Sequence, residues 1–262
     1  MKLLPLLLCG ALLAGCASVP PGPRIDTTYS ARGQSDRIKY VILHYTVGDS
    51  ERSLKTLTQE EVSAHYMVTD ADIPVIYSLV NESRQANHAG YSSWKIYNQL
   101  NSASIGIEIV NPGFRDTPEG RVWYPFKPQQ IDQVVALLKQ IVARHNIKPE
   151  NILGHNEIAP LRKQDPGPLF PWKRLADEGL IQWPDAVKVA ARQSVFEAQL
   201  PEVAWFQKKL AQHGYGGVPQ TGELDQTTIT ILSVFQSKFR PTRFDGQPDA
   251  ETAALLDVLT NP

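Results

Sequence analysis

"IKYVILH", residues 38–44, is a short run rich in apolar and β-branched side chains that ends directly in a histidine. A run of this length suits a buried strand better than a core helix. Further strands are expected at "HYMVTD" (65–70), "PVIYSLV" (74–80) and "SIGIEIVN" (104–111), the first two joined by the turn-like "DADIP". The periodicity then changes: "KPQQIDQVVALLKQIVARHNI" (127–147) sets Ile131, Val134, Val135, Leu138, Ile141 and Val142 on one helical face, with Gln, Lys and Arg opposite. Together these predict an α/β body over residues 25–183, a mixed central β-sheet flanked by helices.

Past Trp183 the pattern loosens, and residues 184–198 read as a linker. Beyond it an internal repeat appears that the first body lacks. "GELDQTTITIL" (222–232) and "GQPDAETAALL" (246–256) both read G-x-x-D-x-x-T-x-x-x-L, with Asp225 and Asp249 placed as helix caps and Leu232 and Leu256 placed inward. With "PEVAWFQKKLAQHGY" (201–215) they predict a small three-helix domain over residues 199–262.

The chain has 262 residues, 42% hydrophobic and 20% charged, as expected of a globular protein. Its formal net charge of -1 and pI near 6.6 provide no basic field to concentrate it on nucleic acid, which is excluded as a partner. A monomer is expected. The opening "MKLLPLLLCGALLAGCASVPPGPR" (1–24) has a lysine, an apolar run too short to span a bilayer, and small residues ending at Cys16. This is an export signal. Its "LAGC" (13–16) resembles the lipobox of bacterial lipoproteins, which implies cleavage of residues 1–15 and acylation of Cys16. Each buried methylene of such an anchor contributes about 0.8 kcal/mol. Residues 16–24 then form a Pro-rich tether, and Ala17 and Ser18 after the cysteine imply the outer membrane by analogy. The alternative is a plain secretory signal with an incidental cysteine. Cys9 would leave with the leader, so the mature chain has no disulfide.

Chemistry concentrates in "ILGHNEIAPLRKQDPGPLFPW" (152–172), where His155 and Asp165 lie in a turn-rich segment. With His44 they make two imidazoles and a carboxylate, a set suited to zinc with a fourth position left for water. Spacing alone does not choose this over structural roles. The three residues are far apart, no H-E-x-x-H helix is present, and each taken singly suits a satisfied histidine or a turn aspartate.

The flanking residues carry more. "VILHYT", "SAHYMV", "NHAG", "SIGIEIVN", "LGHNEIAP" and "KQDPGPLFPW" occur in the order of the type 2 N-acetylmuramoyl-L-alanine amidases, whose fold is also that of phage lysozyme-type amidases and animal peptidoglycan recognition proteins. This resemblance implies that His44, His155 and Asp165 hold one zinc ion, that Glu108 is the general base and acid, and that Lys163 stabilises the oxyanion. It implies substrate contacts at His88, with Asn87 and Trp94 nearby. His65 is read as packed and hydrogen-bonded, His145 as a helix-end residue favoured by the dipole, and His213 as a surface residue of the second domain. The C-terminal repeat resembles the small peptidoglycan-binding module of wall hydrolases; a domain that only stabilises the body is the alternative.

The function implied is hydrolysis of the amide between N-acetylmuramic acid and L-alanine in peptidoglycan or muropeptides. Two other readings remain: a non-catalytic peptidoglycan-recognition lipoprotein, and a zinc peptidase acting on the stem peptide. Retention of all three ligands and Glu108 speaks against the first, while the same metal chemistry would serve the second.

Overall fold

The protein is described here from a computed structural model covering residues 22–261, so the leader, the lipobox and Cys16 lie outside the described residues. Among the described residues no helix is long and apolar enough to cross a membrane. Residues 36–262 form one compact unit.

The apolar run before His44 forms β1 (Tyr40–Tyr45), the fourth strand in a five-stranded sheet. The other elements are β2 (Tyr66–Val68), β3 (Ile76–Ser78), the two-residue strands β4 (Ser93–Trp94) and β5 (Tyr97–Asn98), β6 (Ser104–Ile109), the hairpin β7 (Phe114–Thr117) and β8 (Gly120–Trp123), and β9 (Ile152–Gly154). Sheet order is β3-β2-β6-β1-β9. β2, β6, β1 and β9 run parallel, and β3 pairs antiparallel with β2. This is the mixed sheet expected.

Helices α1 (Ser50–Gln59) and α2 (Pro128–His145) belong to the first body. In α2, Pro128 occupies the first turn, where its missing N–H costs nothing, and left-handed Asn146 ends the helix. Its expected inward residues Ile131, Val134, Val135, Leu138 and Ile141 are buried, and Val142 is partly buried against the same cluster. They pack on Val41, Leu43, Ile105 and Ile107, one face of the sheet. The opposite face of β1 carries Tyr40 and Ile42, whose cluster includes Phe206, Phe235 and Leu256 from the C-terminal helices. Both faces of β1 are therefore covered, which explains its unbroken apolar character.

The remaining helices are α3 (His155–Ile158), α4 (Trp172–Asp177), α5 (Ala186–Ala198), α6 (Val203–His213), α7 (Gln226–Phe239) and α8 (Ala250–Thr260). α6, α7 and α8 are the three helices expected. Asp225 and Asp249 accept from the Thr228 and Thr252 amides as N-caps, and Leu232 and Leu256 are wholly buried. The stretch 184–198, expected as a linker, is instead helical: α5 is capped by Asp185 and packs along α8, with Arg192 paired to Asp257 at 2.6 Å. It buries only Phe196 of its own residues, so it shows little apolar stripe.

The repeat also contains a device outside the quoted motif. Gln207 donates to Thr228 Oγ1 at 3.0 Å and accepts from Gly222 N at 2.8 Å; Gln236 repeats this with Thr252 Oγ1 and Gly246 N at the same distances. Each glutamine amide closes the turn into the following helix. Gly246 has φ +73°, and a Cβ there would lie 2.2 Å from the Ile229 carbonyl oxygen, so the motif glycine has no substitute.

Gln236→Ala leaves a buried amide and hydroxyl without their partner. It is expected to lower stability by about 1–3 kcal/mol, read as a reduced denaturant midpoint with an unchanged slope.

Candidate functional site

Parallel pairing aligns His44 with Glu108 across β1 and β6, and Leu43 with Gly154 across β1 and β9. Paired residues on adjacent strands present their side chains to the same face. His44 and Glu108 are thus neighbours at the carboxyl edge of the sheet, and His155, one residue past β9, arrives beside them. Asp165 is brought in by the loop after α3, where Asn156 N donates to the Asp165 carbonyl at 2.8 Å.

The three expected ligands converge. His44 Nδ1 lies 2.9 Å from His155 Nδ1, and each nitrogen lies 3.0 Å from Asp165 Oδ2. All three residues are buried. Their outer hydrogen bonds assign the protons. Ser104 Oγ donates to the Leu100 carbonyl at 2.6 Å, so it accepts from His88 Nε2 at 3.2 Å. His88 Nδ1 must then accept, at 3.0 Å, from His44 Nε2. His155 Nε2 donates to the Ala89 carbonyl at 3.2 Å, a carbonyl also held by Arg162 at 2.8 Å. Both Nδ1 atoms are left as lone pairs facing each other and a carboxylate oxygen. Burial and the neighbouring His155 also push His44 down to about 4, neutral at pH 7. Such a cluster repels itself unless a cation joins it. The residues fit a metal: the donor spacing is close to the roughly 3.3 Å separating tetrahedral ligands at zinc-nitrogen distances, and the outer bonds are those that orient metal-ligating histidines.

Glu108 stands alongside with its Oε2 buried and without a hydrogen-bond partner. Burial, and then the Asp165 carboxylate, push its pKa up to about 8, with Lys163 pulling the other way. His44, Glu108, His155, Asp165, Lys163 and Asn87 line one cleft of about 690 Å³, with Val47, Leu57 and Val62 on its apolar side. Asn87 is exposed on the rim, held by a 3.2 Å bond to the Glu61 carbonyl.

Two expected contacts are corrected. Trp94 is 1% exposed and packs edge-on against Tyr215 and His213 of the helical module, away from the cleft. Its indole is too large a hydrophobe to remain outside the core once α6 is docked. His88 borders the cleft, but both its ring nitrogens are taken by His44 and Ser104, leaving none for a substrate. Its place demands Gly106 beneath it, where a Cβ would sit 2.4 Å from the imidazole. His213, expected on the surface, is only partly exposed, and its ring packs among Trp94, Phe235 and Phe239, whose desolvation lowers its pKa. His65 accepts from Gly106 N and contacts the Arg84 carbonyl, a hydrogen-bonded role like the one expected. Ser104 and the Leu100 and Ala89 carbonyls were missed. Ser104 opens the quoted "SIGIEIVN", but nothing local marks it, and a carbonyl has no sequence signal.

Two outcomes follow. His88→Ala removes the acceptor that orients His44 and should weaken metal affinity about 10–100-fold, measured by competition with a chelator. In metal-free protein Glu108 carries a pKa near 8 when folded and the ordinary 4.5 when unfolded. The folded state therefore binds more protons between these values, and stability falls as pH rises from about 4.5 through about 8. Glu108→Gln should flatten that decline in melts taken across the range.

Comparison with known proteins gives the site its context. The model of the N-acetylmuramoyl-L-alanine amidase family matches residues 34–168, and that of a "Putative peptidoglycan binding domain" matches residues 199–256. The N-acetylmuramoyl-L-alanine amidase AmiD of Escherichia coli (strain K12) is 40% identical over 259 residues, 95% of this chain and 93% of its own. A solved structure of AmiD from E. coli with the substrate anhydro-N-acetylmuramic acid-L-Ala-D-gamma-Glu-L-Lys matches with a TM-score of 0.83 over 91% of this chain and 94% of that one. The crystal structure of AmpDh3 from Pseudomonas aeruginosa matches at 35% identity with a TM-score of 0.84, over 91% and 98%. A family model over residues 34–168 together with 40% identity over 95% of the chain means that this chain belongs to the family of N-acetylmuramoyl-L-alanine amidases.

Proposed function

We propose that the protein is a zinc-dependent amidase that hydrolyses the bond between the lactyl group of N-acetylmuramic acid and L-alanine. Its substrates are peptidoglycan or muropeptides, anhydro forms included, and its place is cell-wall turnover or recycling. One observation carries the reading: two lone-pair imidazole nitrogens and a carboxylate oxygen converge within 3.0 Å beside a buried carboxylate oxygen that has no partner. The anhydro form is supported by the relatives, since AmiD from E. coli and AmpDh3 have been solved with an anhydro-muramyl substrate and an anhydromuramic pentapeptide.

His44, His155 and Asp165 are the residues that would hold the ion. When bound, zinc supplies Lewis acidity, lowering the pKa of a coordinated water and polarising the scissile carbonyl. Glu108 Oε2 takes a proton from the attacking water and returns it to the alanine nitrogen as the C–N bond breaks. A buried carboxyl whose Oε2 has no partner suits both halves of that task, because its raised pKa makes the anion a better proton acceptor and lets the acid persist until the proton is passed on. Lys163, whose charge is felt at Glu108, turns its ammonium toward the oxyanion of the tetrahedral intermediate. Asn87, on the rim, contacts the substrate. Acylation at Cys16 anchors the enzyme to the outer membrane, facing the periplasm.

Protein beginning after Cys16 is incubated with muropeptides, with and without a chelator, and products are identified by mass. Free peptides starting with L-alanine, lost on chelation and restored by zinc, are expected. Cleavage inside the stem would select a peptidase, and binding without product a recognition protein. Glu108→Ala should cut turnover by about 10²–10⁴-fold with metal content unchanged; near-normal turnover would end the proton-transfer role.

A further inference from the structure

Lys238 lies on α7 of the helical module, yet its ammonium is inside the amidase body. It is 6% exposed, and its Nζ donates to both carboxylate oxygens of Glu157, at 2.8 and 3.0 Å. It also reaches the Ile152 carbonyl at 3.4 Å and stands 4.2 Å from the centroid of the Trp172 ring. Glu157 is 1% exposed, and its Oε2 accepts from Gly154 N at 2.7 Å.

The position of this ion pair matters more than its existence. Gly154 precedes His155 and Glu157 follows it by two residues, in the same short helical turn. The carboxylate therefore straddles the metal ligand, bonded to the backbone before it and attached to the backbone after it. Nζ pins both oxygens of that carboxylate, so the lone pair toward Gly154 N–H stays aimed. The far nitrogen of His155 is already fixed by the Ala89 carbonyl. The backbone entering His155 and the far side of its ring are thus both tied.

Energetics points the same way. Taking a lysine and a glutamate out of water costs about what their attraction returns, and well-packed apolar side chains of like volume would dock α7 as firmly. An ion pair here is poor glue. What it supplies that a methionine would not is direction.

We infer that Lys238, contributed by the helical module, is a positioning residue for His155, acting through Glu157 and the Gly154 amide. The inference rests on the metal reading above. It gives the C-terminal module a part in orienting a metal ligand, in addition to any wall-binding role it has.

The test uses the otherwise intact chain with Lys238→Met, similar in length and uncharged. Zinc affinity is measured by competition with a chromophoric chelator, the cobalt(II) visible spectrum reports ligand geometry, and melting of the metal-free protein is followed separately. Zinc binding weakened about 10–100-fold, with an altered cobalt spectrum, is expected. The double variant Lys238→Met with Glu157→Gln strands no buried charge and keeps an acceptor for Gly154 N–H, so it should recover part of the lost affinity. Should the single variant fail to fold, the double variant decides: affinity below wild type supports the role, and affinity equal to wild type overturns it. Lys238→Met with wild-type zinc affinity and cobalt spectrum, whatever its melting temperature, overturns the role and leaves the pair as a docking contact. Wild-type protein that binds neither metal fails in a different way, overturning the metal reading itself.

Discussion

Everything at the site hangs on the register of β1. With β6 on one side and β9 on the other, it sets His44 opposite Glu108 and Leu43 opposite Gly154, so three strand ends deliver their groups to one edge. Ligand sites in such sheets gather at the carboxyl ends of the parallel strands. A slip of one residue would turn His44 to the other face, among the aliphatic side chains that pack on α2. The apolar residues on the two faces of β1 forbid that slip: Val41 and Leu43 belong to the α2 cluster, while Tyr40 and Ile42 belong to the cluster shared with the helical module. Hydrophobic burial thus fixes polar geometry several residues away.

On the polar side the same face carries Ser104, Gly106 and Glu108 in alternation. Ser104 links a backbone carbonyl to His88 in a chain of hydrogen bonds that fixes the tautomers of His88 and His44 in turn. Gly106 makes room for the His88 ring. Glu108, the last of the three, has an oxygen that nothing binds. Satisfied groups hold the site rigid; the unsatisfied one is free to exchange a proton. Buried polar networks are costly when left half-finished, and here the unfinished end faces the cleft.

Much of this was legible in the chain. Apolar runs of strand length located β1, β2, β3 and β6, a 3.6-residue period located α2, and the repeated G-x-x-D-x-x-T-x-x-x-L located the caps of α7 and α8. Ordered motifs around His44, His155 and Asp165 singled out the residues that converge. What escaped was set by long-range contacts. α5 buries little surface, so its helicity has no periodic stripe to show. Trp94 looks like a substrate contact until α6 is placed against it. Gln207 and Gln236 hide because their partners lie ten to twenty-one residues on. The role of His88 depends on a serine and a carbonyl that carry no local signature.

The core running beneath both modules has a mechanical consequence. Tyr40 and Ile42 of the sheet share one apolar cluster with Phe206, Phe235 and Leu256, and Trp94 is clasped by the turn after α6. A flexibly strung accessory domain lets its catalyst sample many orientations while one end holds the polymer. Here the two share one apolar core among the described residues. The angle and distance between the cleft and the helical module are therefore set at folding, and they are altered by repacking this core rather than by lengthening a linker.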